Sequence, residues 1–205
     1  AAGLADEDKN ASTACSPCGA GTFSETGTTV CQRCAAGRAS NATKATACAG
    51  CRAGADAKAG ATACTNCTAG QYWKADADPG TKCLACVQGT MSKAKATACT
   101  VCVAGFADTD KNASTACAAC GMGTHSDAGA TRCQQCPAGR ASNATKAKQC
   151  SPCDIGAYAK VGATACADCV AGTYDADTDP STKCQACAPV SYTHLTLPTI
   201  VRGVM

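Results

Sequence analysis

The stretch KNASTACSPCGAGTFSETGTTVCQRC, Lys9–Cys34, holds two Cys-x-x-Cys pairs, Cys15/Cys18 and Cys31/Cys34, with twelve residues between them. Such pairs serve three chemistries. Two can wrap a zinc ion in four thiolates, one at a helix N-terminus can run dithiol redox chemistry, and many in a row can form a disulfide framework. The residues between the pairs are rich in Gly and Thr and lack helical or strand periodicity. That removes the βαβ setting a thioredoxin-type pair requires.

The same pattern runs outward through the chain. All 22 cysteines of the 205 residues fall in pairs. After Cys15/Cys18 and Cys31/Cys34 come Cys48/Cys51, Cys64/Cys67, Cys83/Cys86, Cys99/Cys102, Cys117/Cys120, Cys133/Cys136, Cys150/Cys153, Cys166/Cys169 and Cys184/Cys187. The steps between first cysteines alternate between a constant 16 and a variable 17 to 19. The unit is therefore read as two pairs, within the period range of repeat architectures. This divides the chain into the end of a preceding repeat (1–14), five repeats (15–47, 48–82, 83–116, 117–149 and 150–183), the start of a further one (184–189) and a tail (190–205). A Gly follows ten of the pairs at a fixed offset, as in Gly21, Gly105 and Gly172, and marks a backbone position needing positive φ or close approach. A longer period lies on top. Lys9–Cys15 recurs at Lys111–Cys117 and Ala36–Ala45 at Ala138–Ala147, an offset of 102 residues that reads as duplication. Ala2–Asp6 matches Ala104–Asp108 in this register, so the chain is expected to be a fragment of a longer array.

The tail Val190–Met205 breaks the pattern. VSYTHLTLPT, Val190–Thr199, resembles translated sequencing-adapter DNA: the reverse complement of a common transposase adapter encodes these ten residues in one frame. The tail, with His194, is set aside from fold reasoning.

Leu, Ile, Val and Phe number 17, six of them in the tail, so the chain cannot bury a core of ordinary size. Cross-links must offset the lost chain entropy, each contributing about 2–4 kcal/mol. The net charge of +3 is small and scattered, which predicts no nucleic-acid partner, and no stretch is apolar enough for direct membrane insertion. Against zinc stand the lack of grouping gaps and of ligand histidines. The run of pairs is unbroken and His125 is the only histidine before the tail. Disulfides explain both the weak core and the loops of Ala, Gly, Thr and Ser. The twenty cysteines from Cys15 to Cys169 are thus expected in disulfides.

The spacing suits two pairings. The constant step favours crossed modules, Cys15–Cys31 with Cys18–Cys34, then Cys48–Cys64 with Cys51–Cys67, and so on, which leaves Cys184 and Cys187 without partners. The alternative is a chain of single loops, Cys18–Cys31, Cys34–Cys48, Cys51–Cys64. Sequence alone does not choose between them.

Asn10-Ala-Ser, Asn41-Ala-Thr, Asn112-Ala-Ser and Asn143-Ala-Thr are candidate glycosylation acceptors. The acidic loops Asp6–Asp8, Asp76–Asp78, Asp108–Asp110 and Asp175–Asp179 could point oxygens at calcium. Counting twelve residues from Asp108 or Asp175 does not give the Gly and Glu of an EF-hand, so solvated turns are expected instead.

The string C-x2-C-x2-G-x-[FY], with T-x-C about ten residues later, resembles the tandem repeats of ephrin-receptor-like and TNF-receptor-like ectodomains. The regular tandem with Ala/Thr-rich loops is also similar to immobilisation-type surface antigens of ciliates. These resemblances cover Ala1–Ala188. They imply an extended extracellular stack of modules with short antiparallel strands. The aromatic of that string is present as Phe23, Tyr72, Tyr158 and Tyr174 and replaced elsewhere, for example by His125.

The expected fold is thus small disulfide-rich repeats in an elongated array, with short hairpins, irregular loops and little or no helix. No catalytic constellation or cofactor site is evident. The expected function is a structural coat, stalk or spacer, extracellular or at the cell surface, with any protein partner unidentified. A receptor-type binding ectodomain and an intracellular zinc array are the alternatives. Tyr72-Trp73 is the only aromatic cluster suited to a binding hot spot.

Overall fold

The computed structural model of the chain describes residues 1–10, 12–75, 80 and 82–188. Among these are eleven two-stranded antiparallel hairpins, ten disulfides and no helix. The tail, Asp76–Asp78 and Pro79 lie outside the described residues.

Each hairpin is built alike. A β-turn follows the second cysteine of a pair. At Gly19–Thr22 the Thr22 N–H donates to the Gly19 carbonyl at 3.1 Å, and Gly21 takes φ +80°. The third residue of a type II turn needs that φ, which clashes for an L side chain and is free for Gly. A two-residue strand comes next, Thr22–Phe23, then a loop, then the return strand Gln32–Arg33. The return strand is the interior of the next Cys-x-x-Cys. Its second cysteine, Cys34, donates its N–H to the Gly21 carbonyl at 2.9 Å, and the equivalent bond recurs in every hairpin from Cys18–Gly3 to Cys187–Gly172.

This geometry overturns the crossed pairing. The bonds are Cys18–Cys31, Cys34–Cys48, Cys51–Cys64, Cys67–Cys83, Cys86–Cys99, Cys102–Cys117, Cys120–Cys133, Cys136–Cys150, Cys153–Cys166 and Cys169–Cys184. In an extended strand successive side chains alternate faces, so two cysteines three residues apart point opposite ways. One bonds back to the loop before it and the other forward to the loop after it. Cys184, expected to be unpaired, is bonded to Cys169. Cys15, expected to bond Cys31, is exposed and free, as is Cys187. First cysteines bond backwards, and no cysteine precedes Cys15 in the sequence.

The loops use a second left-handed position, four residues before the closing cysteine. Gly27, Gly60, Gly129 and Gly162 fill it in some loops, and Lys44, Lys95 and Lys146 fill it in others. A lysine held at positive φ costs about 1–2 kcal/mol, partly offset by the entropy Gly loses on folding. Lys95→Gly is therefore expected to stabilise its loop by about 0.5–1 kcal/mol. Slower amide exchange at Ala96 and Cys99 would show it, whereas faster exchange there would contradict it.

The interior is made of sulfur and small side chains. The largest fully buried residues are Cys18, Cys34, Cys67, Cys102, Cys120 and Cys136, with Ser24 and Ser126. Larger apolar residues stay outside, including Val87, Val170 and Ile155. The hydrogen bonds between described hairpins join only those one or two positions apart, so the hairpins form an elongated array without a shared core. No described helix is long and apolar enough to cross a membrane.

Candidate functional site: the stacking interface

The surface on which one hairpin meets the next has the most consistent geometry in the molecule. Three backbone bonds recur along it. The turn Gly donates its N–H to a carbonyl three residues past the turn Gly of the following hairpin, as in Gly21 to Ser40 at 2.7 Å, Gly105 to Ser126 at 2.9 Å and Gly123 to Ser142 at 2.8 Å. The residue three past the Gly donates its own N–H onward, as in Ser24 to Ala45 at 3.1 Å and Ser126 to Ala147 at 3.2 Å. The left-handed loop residue donates back to a cysteine carbonyl, as in Lys44 to Cys18 and Lys146 to Cys120, both at 2.8 Å.

The last of these contacts reaches two hairpins along. Lys146 belongs to the loop closed by Cys136–Cys150, while Cys120 and its partner Gly105 form the end of the hairpin that opens at Phe106. A Cβ added at Gly105 would overlap the Lys146 carbonyl. One at Gly54 would stand 2.6 Å from the Lys95 carbonyl. The turn Gly therefore answers both conditions suggested for it, positive φ and close approach.

The position three past the Gly is a functional slot that sequence reading missed. It holds Asp6, Ser24, Ser40, Ala57, Trp73, Ser92, Asp108, Ser126, Ser142, Ala159 and Asp175. Most of these are buried. Ser24, Ser92 and Ser126 send their hydroxyls back to the carbonyls of Leu4, Gln71 and Phe106 at 2.8–3.0 Å. A small residue with one hydroxyl ties two hairpins together without separating them. The recurrence of Ser at a fixed distance from Gly was the signal available for it.

Aspartate uses the slot differently. The Asp108 carboxylate takes the Gly89 N–H at 2.9 Å and the Asn112 N–H at 3.0 Å, and Asp175 takes the Gly156 N–H at 3.2 Å. Asp56, one residue earlier in its hairpin, accepts from Gly80 and Lys82 of the next. The outer acids of the loops cap their own turns. Thr115 donates its hydroxyl to Asp110 at 2.8 Å, and Thr182 and Thr13 do the same to Asp177 and Asp8.

These bonds to the ionised form hold three carboxyls below the ordinary value of 3.8. The Thr115 hydroxyl leads at Asp110, the Asp179 N–H at Asp177 and the Thr13 hydroxyl at Asp8. A depressed folded-state value stabilises the loop above pH 3.8 and ceases to do so as pH falls through the folded value. Carboxyl-carbon titration by NMR is expected to place Asp110 and Asp177 below 3.8, with Thr115 and Thr182 amides exchanging faster as those acids protonate. Midpoints at or above 3.8 would contradict the capping role.

The remaining sequence-predicted residues are placed as follows. Asn10, Asn41, Asn112 and Asn143 are all exposed. The side-chain carbonyls of Asn10 and Asn112 accept the hydroxyls of Ser12 and Ser114 at 2.7 Å. Trp73 is half-buried, with the Lys82 ammonium 5.4 Å from its ring centroid, and its backbone N–H donates to the Ala96 carbonyl in the stacking ladder. The disulfides hold the sulfurs that a zinc array would need. Among the described residues, one group of three possible ligands converges, His125 with Cys136 and Cys150, and those two cysteines are bonded to each other.

The chain is a tandem array of cysteine-rich repeats. No family model matches it, and no curated protein matches it.

Proposed function

We propose that the chain is a structural element of a cell-surface or secreted protein, a coat, stalk or spacer resembling the repeat regions of ephrin-receptor-like and TNF-receptor-like ectodomains and of ciliate-type surface antigens. The observation that carries this reading is the unbroken spine. Ten of the eleven described hairpins are closed by a disulfide, and hydrogen bonds tie each hairpin to the next. Such a spine fixes spacing between its ends and asks nothing of a pocket. Contact limited to hairpins one or two positions apart also lets units be added without redesign, in keeping with the 102-residue duplication.

The disulfide density suits an oxidising compartment outside the cytosol. The four exposed sequons would carry glycans there, keeping the stack hydrated and apart from its neighbours. We propose no catalytic role. His125 lies against a disulfide, and the acids whose contacts are described above serve turns and amides.

Antibody raised against the oxidised chain tests the assignment. It is expected to label intact source cells, or their medium, without permeabilisation, and the natural protein is expected to carry glycan on Asn41 or Asn143. Labelling confined to permeabilised cells, with free thiols throughout, would sink the reading and restore the intracellular alternative.

A further inference from the structure

One disulfide differs from its own duplicate. Cys136–Cys150 and Cys34–Cys48 are 102 residues apart in sequence and share a 14-residue separation. Each has an arginine braced on its closing cysteine, Arg38 Nη1 to the Cys48 carbonyl and Arg140 Nη1 to the Cys150 carbonyl, both at 3.0 Å. The residue in the facing hairpin is Phe23 at one site and His125 at the other. His125 Nδ1 stands 3.3 Å from Cys150 Sγ, and the ligand atoms of His125, Cys136 and Cys150 lie within 4.8 Å of one another. A cavity of about 380 Å³ reaches this corner, lined by His125, Gln134, Gln135, Arg140 and Cys150 among others.

We propose that His125, Cys136 and Cys150 form a redox-gated zinc site, closed as a disulfide and able to bind one Zn²⁺ once a dithiol reductant has opened the bond. Imidazole with two thiolates is a donor set that zinc favours, and a water can complete four-coordination. The cavity brings the reductant to Cys150. Its thiol passes a proton to His125 as its sulfur bonds Cys150 Sγ, and the electron pair of the old bond leaves on Cys136 Sγ, which takes up the proton. The reductant's second thiol then displaces Cys150, forming the reductant's own disulfide and leaving two protein thiols. Two electrons and two hydrogens have moved from the dithiol to the cysteines. Zinc binding releases the two thiol protons. A base beside the attacked sulfur speeds exchange, because the thiolate is the nucleophile. Phe23 offers neither a base nor a ligand, so the duplicate should do neither.

The test uses the full oxidised chain. Limiting dithiothreitol is applied, the protein is desalted without oxygen, and one portion is alkylated and mapped. Cys136 and Cys150 are expected to be labelled at least about fivefold more than Cys34 and Cys48. The other portion receives Zn²⁺ and is desalted again. It is expected to retain one zinc per opened chain and to resist alkylation at both cysteines. His125→Phe, which places in this corner the side chain its duplicate already accommodates, should lower the labelling to the duplicate's level and remove at least nine-tenths of the retained zinc, roughly a tenfold loss. Phe23→His should confer zinc retention on Cys34 and Cys48. Equal labelling of the two bonds in the native chain, no zinc retained, or zinc retained equally by His125→Phe would each overturn the proposal.

Discussion

Replacing Gly105 with Ala is expected to open the array locally, at a cost of about 3 kcal/mol or more. Two effects add. The residue holds φ +89°, and its added Cβ would meet the Lys146 carbonyl from two hairpins away. Left-handed backbone alone costs an L-residue about 1–2 kcal/mol, and overpacking against an atom that cannot swing aside typically costs about 1–3 more. The obstacle is backbone held by its own bond to Cys120, so relief means separating the stack. Two other glycines separate the terms. Gly156 has φ +82° with nothing near a Cβ, so Gly156→Ala should show the strain alone, about 1–2 kcal/mol. Gly50 has neither a positive φ nor a neighbour, and Gly50→Ala should be close to neutral. Amide exchange at Cys120 and Lys146 reads the first effect. Equal costs at Gly105 and Gly156 would show that the next-nearest contact carries nothing.

Removing one bridge should have a comparable effect with a different reach. The double substitution Cys102→Ser and Cys117→Ser opens a loop of separation 15. Such a loop is worth about 3 kcal/mol in chain entropy, and no apolar core replaces it. The loss is expected to raise amide exchange in that loop and in the hairpins within two positions on either side, because the bonds extend no further. Hairpins near Thr22 and Thr173 should keep native protection. Unfolding of the whole chain would instead mean a cooperative core that the observed packing lacks. For the same reason a single unfolding free energy does not describe this molecule, and local exchange is the suitable measurement.

Much of this architecture was legible in the cysteines. Their density with so few large apolar residues required covalent closure, and the recurring Gly marked the turn. The constant 16-residue step favours bridges that span it inside a crossed module, and the structure shows another cause for its constancy. The step records a shorter, invariant loop: Cys18–Cys31 and Cys86–Cys99 span 13 residues, while Cys67–Cys83 spans 16. Strand alternation across Cys-x-x-Cys would have chosen the sequential scheme, but two-residue strands leave no periodicity to detect. The ladder is carried by main-chain groups, which explains why Ala39, Ala107 and Ala141 sit at the aromatic position without breaking it. Ser recurs three residues past the turn Gly, but that recurrence says nothing of burial until the next hairpin is seen to close over it. His125 looked solitary for a related reason: the two sulfurs beside it come from different stretches of chain.

Small-angle scattering on the oxidised chain tests the central claim, that the repeats stack in one dimension. A compact chain of 205 residues has a radius of gyration of about 17 Å and a disordered one about 49 Å. The oxidised protein is expected well above the first value, with a pair-distance distribution skewed to long vectors and a linear cross-section region. Full reduction should move the profile toward the second value and abolish that linear region. An oxidised radius near 17 Å with a symmetric distribution would contradict the stack, and with it the spacer function built on it.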